Sequence, residues 1–250
     1  MKRVQYFSDL HMEMRDYDIT AFDDVEADLV ILAGDIGVGV NGVRWAAKVF
    51  KCPVLYVAGN HEFYHHEFGL LIEDMKNRAT GTNVTVLEDD SVVINDIRYV
   101  GSTLWTDFNL YGYAEQAMDN AADCMSDFHL IRGRSGPLQP IETVQRHERS
   151  AAYISKVISI SKEPVVVITH HTPSKLTVPP KYANDGLTPA FSSNLDSVIR
   201  PPVIAWICGH THHSGQWDVH GIPILSNQWG YPSEGKALPR MSLGNLVEAP

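Results

Sequence analysis

The sequence predicts an α/β fold, because short apolar runs alternate with segments that have helical periodicity. Runs such as 27–33 and 53–58 are largely apolar and are closed by glycine, which is typical of buried strands in a sheet covered on both faces. Residues 141–162 carry apolar side chains at helical spacing and stop before Pro164. This pattern indicates an amphipathic helix.

The elements follow one another in a regular order along the chain. In the first half, strands are expected at 3–7, 27–33 and 53–58, and helices at 40–50 and 68–79. Short strands are expected at 84–87, 92–94 and 97–100, with a hairpin-like turn at Asn95-Asp96 between the last two. After the helix at 141–162, strands at 165–169 and 203–208 and a hairpin of 215–219 with 222–225 complete the pattern.

Two segments interrupt this order. Residues 102–140 are predicted to form a long loop or a partly helical insertion, and together with 173–190 they are expected to set substrate choice. The last twenty residues, rich in glycine and proline, are expected to lie as a tail on the domain. The segment 227–232 is expected to have a structural role. No repeat or linker is visible, so a single domain over 1–250 is predicted.

Charge and composition narrow the classes of function. A formal net charge of -10 argues against broad binding to nucleic acid or to an anionic membrane. An anionic substrate stays possible, since bound cations can invert the local electrostatics. The N-terminal residues enter a strand directly, no apolar run could cross a bilayer, and the three cysteines are far apart. These features predict a cytoplasmic protein with reduced thiols and no membrane partner.

Histidine is clustered in an unusual way. Nine of the 12 histidines fall into four tight groups, and several follow predicted strands beside a carboxylate or an amide. In α/β sheets, ligands bind in the crevice outside the carboxyl ends of the strands. Five such strand ends are expected to converge there. The side chains brought together would be Asp9, His11, Asp35, Asn60, His170, His210 and His212. Pairs two residues apart would reach one cleft from extended backbone, and the donor set suits divalent metals.

Five motifs, in order, resemble those of calcineurin-like metallophosphoesterases of the small single-domain bacterial type. They are Asp9-Leu10-His11, Gly34-Asp35, Gly59-Asn60-His61-Glu62, His170 and Gly209-His210-Thr211-His212, and the resemblance covers about residues 4 to 226. It implies a four-layer αββα sandwich of two mixed β-sheets flanked by helices. It also implies two metal ions. One would be held by Asp9, His11, Asp35 and His212, the other by Asp35, Asn60, His170 and His210, and His61 would assist catalysis without binding metal.

The implied chemistry is hydrolysis of a phosphate ester, either a phosphomonoester or a phosphodiester. Two metal ions about 3.5–4 Å apart would neutralise the phosphate and acidify a water molecule. His61 would donate a proton to the leaving group. Manganese is the expected metal, and Fe, Zn, Co, Ni and Mg are the alternatives. A small phosphorylated molecule is the expected substrate.

One departure from the family pattern concerns the catalytic histidine. Many members carry a second acidic residue three places after the Gly-Asp aspartate, and it orients this histidine. Val38 stands there in this chain. Another carboxylate, with Glu62 as the candidate, is expected to orient His61 in its place. The alternative is that His61 is held in a different way.

Three other interpretations compete with this one. Residues 61–65 fit the HExxH pattern of zinc proteases, but that interpretation leaves the other four motifs unused. A nuclease of the same fold is the alternative enzyme, although the acidic charge disfavours a long duplex. A catalytically silent scaffold that binds protein partners is the non-enzyme alternative, and such relatives usually lack some of these histidines.

Overall fold

Two β-sheets pack face to face and carry helices on their outer faces in the computed structural model, which describes residues 3–14 and 27–234. The first sheet has four strands in the order β1-β2-β3-β4: β1 Val4–Phe7, β2 Leu29–Ala33, β3 Val54–Val57 and β4 Val84–Val86. Residues 235–250, most of the expected tail, lie outside the described residues.

The second sheet has six strands in the order β11-β12-β10-β9-β6-β5. Its strands are β5 Asp90–Ile94, β6 Ile97–Ser102, β9 Val165–Thr169, β10 Val203–Ile207, β11 Gly215–Val219 and β12 Ile222–Ser226. A separate small hairpin joins β7 Arg132–Gly133 to β8 Gly136–Pro137. The helices are α1 Asn41–Val49, α2 Leu71–Ala79, α3 Ala114–Cys124, α4 Asp127–Leu130 and α5 Pro140–Ile160.

The expected layers of two sheets flanked by helices are confirmed, but the expectation that both sheets are mixed is wrong for the four-stranded sheet. All pairings in the four-stranded sheet are parallel, because crossovers containing α1 and α2 connect β2, β3 and β4. The six-stranded sheet is mixed, since the hairpins β5-β6 and β11-β12 add antiparallel pairs to its parallel centre.

Three apolar clusters hold the layers together. Side chains that include Ile31 and Ile168 fill the space between the two sheets. A second cluster lies between the four-stranded sheet and the side of the molecule that carries α1 and α2, and a third lies between the six-stranded sheet and α5. Both faces of the central strands are therefore buried, which explains why their sequences are continuously apolar.

The insertion at 102–140 is partly helical, as expected, and it is packed rather than open. It contains α3, α4 and the β7-β8 hairpin. Ala117, Ala121 and Phe128 are buried in the cluster that covers the four-stranded sheet. Within residues 3–14 and 27–234, every helix is too short or too polar to cross a bilayer.

Candidate metal centre and active site

The seven side chains expected at the strand ends lie close together. Asp9 and His11 follow β1, Asp35 follows β2, Asn60 follows β3, His170 follows β9, and His210 and His212 follow β10. The parallel strands of both sheets end on the same side, so their loops meet above the sheet edges. Six of the seven are less than 9% exposed, and His212 is partly exposed.

The backbone of these loops differs from the extended form we expected. Five of the seven residues have positive φ angles: Asp9 (58°), His11 (48°), Asp35 (53°), His210 (73°) and His212 (49°). The strand alternation stops at the ends of β1 and β10, and tight turns aim the side chains instead. Backbone hydrogen bonds hold these turns, for example from Asp9 N to Gly34 O at 3.0 Å. Left-handed backbone at non-glycine residues costs about 1–2 kcal/mol per residue, and such strain clusters at functional sites.

Asp9, His11 and His212 form a first cluster. His212 Nε2 lies 3.0 Å from His11 Nε2 and 3.5 Å from Asp9 Oδ1. One ligand atom from each of the three residues thus lies within 4.8 Å of the other two. A cation between these atoms would satisfy all three groups, so the donor set fits a divalent metal ion.

A second cluster contains Asp35, Asn60, His170 and His210. His170 Nε2 lies 3.4 Å from Asp35 Oδ2, 3.0 Å from Asn60 Oδ1 and 3.1 Å from His210 Nδ1. His170 Nδ1 is 2.9 Å from the carbonyl oxygen of Ala33, to which it can donate. That bond leaves Nε2 deprotonated in the neutral ring and able to bind a metal.

Asp35 lies between the two clusters. Its Oδ2 is 3.4 Å from His170 Nε2 and 3.9 Å from His11 Nε2. Its Oδ1 accepts a hydrogen bond from His61 N at 2.9 Å, which leaves Oδ2 to face both clusters. Burial acts to raise the pKa of Asp35, but the surrounding histidines outweigh it and hold the pKa well below its ordinary value.

Two motif glycines leave room for these side chains. A Cβ atom on Gly59 would lie 2.1 Å from Asp35 Oδ1, and a Cβ atom on Gly34 would lie 2.3 Å from His170 Nδ1. Gly34 also has a φ of +87°, which favours glycine. Glycine stands before Asp35 and Asn60 in the sequence because a larger residue would occupy the centre itself.

The side chain of Asn60 is oriented by a residue that sequence reasoning missed. Asp127 in α4 is buried, and its Oδ1 accepts a hydrogen bond from Asn60 Nδ2 at 2.8 Å. This bond turns Asn60 Oδ1 toward the second cluster. Asp127 lies outside every motif, in an acidic stretch of the insertion, so nothing in its sequence context marked it.

The ring of His61 is held between two oxygen atoms. Its Nδ1 lies 2.8 Å from Glu13 Oε1, and its Nε2 lies 3.0 Å from the hydroxyl oxygen of Tyr231. Burial acts to lower the pKa of His61, but the charges of Asp35 and Glu13 outweigh it and raise the pKa to about 9 among the protein groups alone. Burial acts to raise the pKa of Glu13, but its contacts with His11 and His61 outweigh burial and lower the pKa to about 2.

The expectation that Glu62 orients His61 is wrong. Its carboxylate accepts from Gly59 N at 2.7 Å, from the Tyr56 hydroxyl at 2.7 Å, and from the backbone N–H groups after β2. Glu62 therefore ties together the loops after β2 and β3. Burial is the main cause that raises its pKa to about 7.

Glu13 was also missed, although its spacing carried a signal. It stands two residues after His11, just as His11 stands two after Asp9. The HExxH interpretation fails on geometry. Residues His61–Phe63 form one short 3₁₀ turn, so His61 and His65 do not share a face of an α-helix.

The segment after β12 covers the first cluster. Trp229 N and Gly230 N donate to the carbonyl oxygens of Ser8 and Asp9 at 3.1 and 3.0 Å. This pairing places the Tyr231 ring 4.5 Å, centroid to centroid, from the rings of both His11 and His212. The Glu234 carboxylate bonds His212 Nδ1. The sequence predicts only a structural role for this segment, yet Tyr231 contacts three of the site histidines, His11, His61 and His212.

Two packed sheets whose strand ends gather carboxylate, amide and imidazole groups fit the class of metal-dependent hydrolases. The chain belongs to the calcineurin-like phosphoesterase family, whose profile matches residues 2–214. It is accordingly a metallophosphoesterase, a hydrolase that acts on phosphoric ester bonds with divalent metal ions.

Solved structures show the same fold. The phosphopantetheinyl hydrolase PptH from Mycobacterium tuberculosis superposes with a TM-score of 0.77 at 18% identity, over 99% of this chain and 98% of that one. A dimetal phosphatase from Danio rerio gives a TM-score of 0.54 at 16% identity, over 92% and 87% of the two chains. Protein L509 of Acanthamoeba polyphaga mimivirus, described as uncharacterized, is 27% identical in an alignment 270 residues long that covers 94% of this chain and 93% of that one.

Proposed function

We propose that the protein hydrolyses a small phosphate ester with two divalent metal ions, and that His61 protonates the leaving group. The observation that carries this proposal is the position of Asp35. Its Oδ2 faces His11 of the first cluster and His170 of the second at 3.9 and 3.4 Å. A carboxylate shared between two donor sets supports a centre for two ions rather than one.

The two donor sets follow from the clusters. Asp9, His11, Asp35 and His212 would hold one ion, and Asp35, Asn60, His170 and His210 the other. When bound, the ions neutralise charge on the phosphate and lower the pKa of a water molecule. Mixed nitrogen and oxygen donors suit manganese, our first choice, as well as Fe, Zn, Co, Ni or Mg.

His61 lies beside this centre and outside both donor sets. Its Nε2 is 4.0 Å from Asp35 Oδ2, and its Nδ1 is engaged by Glu13. A proton on Nε2 would therefore be directed to the same region as the proposed ions. General acid catalysis of this kind contributes roughly 10²–10⁴-fold in rate.

Charge and the loops guide the choice of substrate. The net charge of -10 favours a small phosphorylated molecule over a long duplex. A nuclease of the same fold stays the alternative enzyme, and the catalytically silent scaffold the non-enzyme alternative. A cytoplasmic location is proposed as well, and it is consistent with the free state of Cys52, Cys124 and Cys208.

Metal analysis and a substrate panel test the proposal together. The protein, purified without added metal and then reconstituted with Mn²⁺, is expected to hold about two ions per chain. It is then assayed on p-nitrophenyl monoesters and diesters, nucleotides, single-stranded DNA and a phosphopantetheinylated carrier protein. Asp35→Asn is expected to lose both metal and turnover, whereas Asp119→Asn, an exposed position on α3, keeps both. Full hydrolysis by metal-free Asp35→Asn protein would contradict the proposal, and metal binding without any hydrolysis would favour the scaffold.

A further inference from the structure

We propose that Glu13 is the positioning residue of His61 and takes the place of the acidic residue that this chain lacks at position 38. The inference rests on the proposed function, because it assigns a partner to the proposed proton donor. Glu13 acts by orienting His61 and does not contact the substrate.

The contact geometry sets both the proton and the direction of the ring. Glu13 Oε1 lies 2.8 Å from His61 Nδ1, and an ionised carboxylate can only accept, so Nδ1 carries the hydrogen. A charge-assisted bond of this length is stronger than a neutral one. The opposite nitrogen, Nε2, then points toward the hydroxyl group of Tyr231 and toward Asp35 Oδ2, 3.0 and 4.0 Å away.

Packing fixes the plane in which this ring can lie. The rings of Tyr64 and His11 lie 4.2 and 4.3 Å from that of His61, centroid to centroid. These neighbours restrict tilting of the imidazole, but a half-turn about the Cβ–Cγ bond, which exchanges Nδ1 with Cδ2 and Nε2 with Cε1, would keep the same packing. Glu13 distinguishes the two orientations at Nδ1, because only one of them places an N–H at its carboxylate, and the Tyr231 hydroxyl group favours the same orientation through its contact with Nε2.

The other buried carboxylates around His61 are committed elsewhere. Glu62 accepts from the backbone after β2, from Gly59 and from Tyr56. Asp35 accepts from the backbone N–H of His61 rather than from its ring. Asp127 accepts from Asn60. Glu13 is therefore the carboxylate, among the described residues, that lies within hydrogen-bond distance of His61 Nδ1.

A hydrogen-bonded turn carries Glu13. Residues Met12–Met14 form a 3₁₀ turn that is joined to the loop after β2 by a hydrogen bond from Met12 N to Ile36 O at 3.0 Å. The Glu13 side chain is 22% exposed, so solvent screens its contact with His61 only in part. Its position depends on the same loop that carries Asp35.

Glu13 also contacts His11, a proposed metal ligand. Any test must therefore separate the effect of Glu13 on His61 from its effect on His11. Its Oε1 lies 3.3 Å from His11 Nδ1, and carboxylates that bond a metal-ligating histidine orient that ligand. His11, Glu13 and His61 could also hold an ion themselves. Loss of turnover alone would not tell these possibilities apart, but metal content and the chemistry of the leaving group do.

The experiment compares Glu13→Gln, His61→Asn and the double variant, all reconstituted with Mn²⁺. Each is assayed on two aryl phosphate esters that differ only in the leaving group, an unsubstituted phenyl ester and a 2,4-dinitrophenyl ester. The dinitrophenolate leaves without a proton, so only the phenyl ester needs the acid. We expect Glu13→Gln to lower kcat on the phenyl ester about 10- to 100-fold and to change the dinitrophenyl rate by less than about 3-fold. Metal content is expected to stay at the wild-type value.

Non-additivity supplies the second readout. In the His61→Asn background, Glu13→Gln is expected to cause no further loss, because a positioning residue acts only through its partner. Glu13→Asp is measured beside it as a variant that keeps the charge, and it should show a smaller loss with the same dependence on leaving group. Glu148→Gln, at an exposed position on α5, is the matched control.

The outcomes separate the two proposals. If His61→Asn keeps the wild-type rate on both esters, the proposed acid role fails. If His61→Asn loses rate on the phenyl ester and Glu13→Gln does not, only the assignment of Glu13 fails. Loss of metal in both Glu13 variants, or equal losses on both esters, would overturn it too, since Glu13 would then act through His11 or bind metal itself.

Discussion

Replacing Gly59 with alanine tests how closely the loops pack around Asp35. The added Cβ would lie 2.1 Å from Asp35 Oδ1 and 2.6 Å from the backbone nitrogen of Asp35. Both distances are far below van der Waals contact, and a backbone atom cannot rotate away as a side chain can. The loop after β2 or the loop after β3 must therefore move, and Asp35 moves with it.

The magnitude follows from the cost of overpacking. Inserting a methyl group into a filled site costs about 1–3 kcal/mol, which in a chain of this size lowers Tm by about 2 to 12 °C. The loss of metal binding should be larger than the loss of stability, because Asp35 is the ligand that we propose for both ions. We expect Gly59→Ala to be folded but destabilised and to hold less than one ion per chain after reconstitution.

Gly69→Ala is the matched control for this experiment. A Cβ atom at Gly69 would meet no atom within 4 Å, so the same substitution there should leave Tm and metal content unchanged. Thermal unfolding followed by circular dichroism and metal analysis of the refolded protein give both readouts. A Gly59→Ala protein with the wild-type Tm and two bound ions would refute the claim that the loops are packed against Asp35.

Three further predictions concern residues outside the family motifs. Asp127→Ala should weaken one of the two proposed metal sites about 10- to 100-fold, because it removes the acceptor that directs Asn60. A metal titration measures this change, with Asp123→Ala at an exposed position as the control. Tyr231→Phe should keep the metal but lower kcat about 2- to 10-fold, since only its hydroxyl contact with His61 is lost, and unchanged kcat contradicts this. Burial chiefly raises the pKa of Glu88 to about 7. The folded protein thus holds this proton to higher pH than the unfolded chain, and stability from this group falls as pH rises from about 4.5 to 7. Urea unfolding should show Glu88→Gln gaining about 2–3 kcal/mol relative to wild type between pH 4.5 and pH 8, and a constant difference refutes it.

The strands and the candidate site were predictable because both depend on local sequence pattern. Continuous apolar runs such as β2 and β9 are buried on both faces, and their short length and apolar composition mark them as strands. The strand ends then identify Asp35 and His170 as neighbours without any contact information. The apolar pattern could not predict the backbone conformation beyond each strand, where Asp9 and His210 adopt left-handed conformations.

The residues that orient the site were harder to predict. Glu13 and Asp127 act through contacts with His61 and Asn60, which lie 48 and 67 positions away in sequence. Such contacts depend on how loops fold over the sheet edges. Glu62 shows the converse error, since its place next to His61 in sequence suggested a contact that its buried side chain does not make.

The most direct measurement of the central claim is a crystal structure grown with Mn²⁺ and recorded with anomalous scattering. Two anomalous peaks about 3.5–4 Å apart, with a carboxylate oxygen of Asp35 between them, are the predicted result. A single peak, or two ions that Asp35 does not touch, would contradict the assignment of Asp35 as the shared ligand.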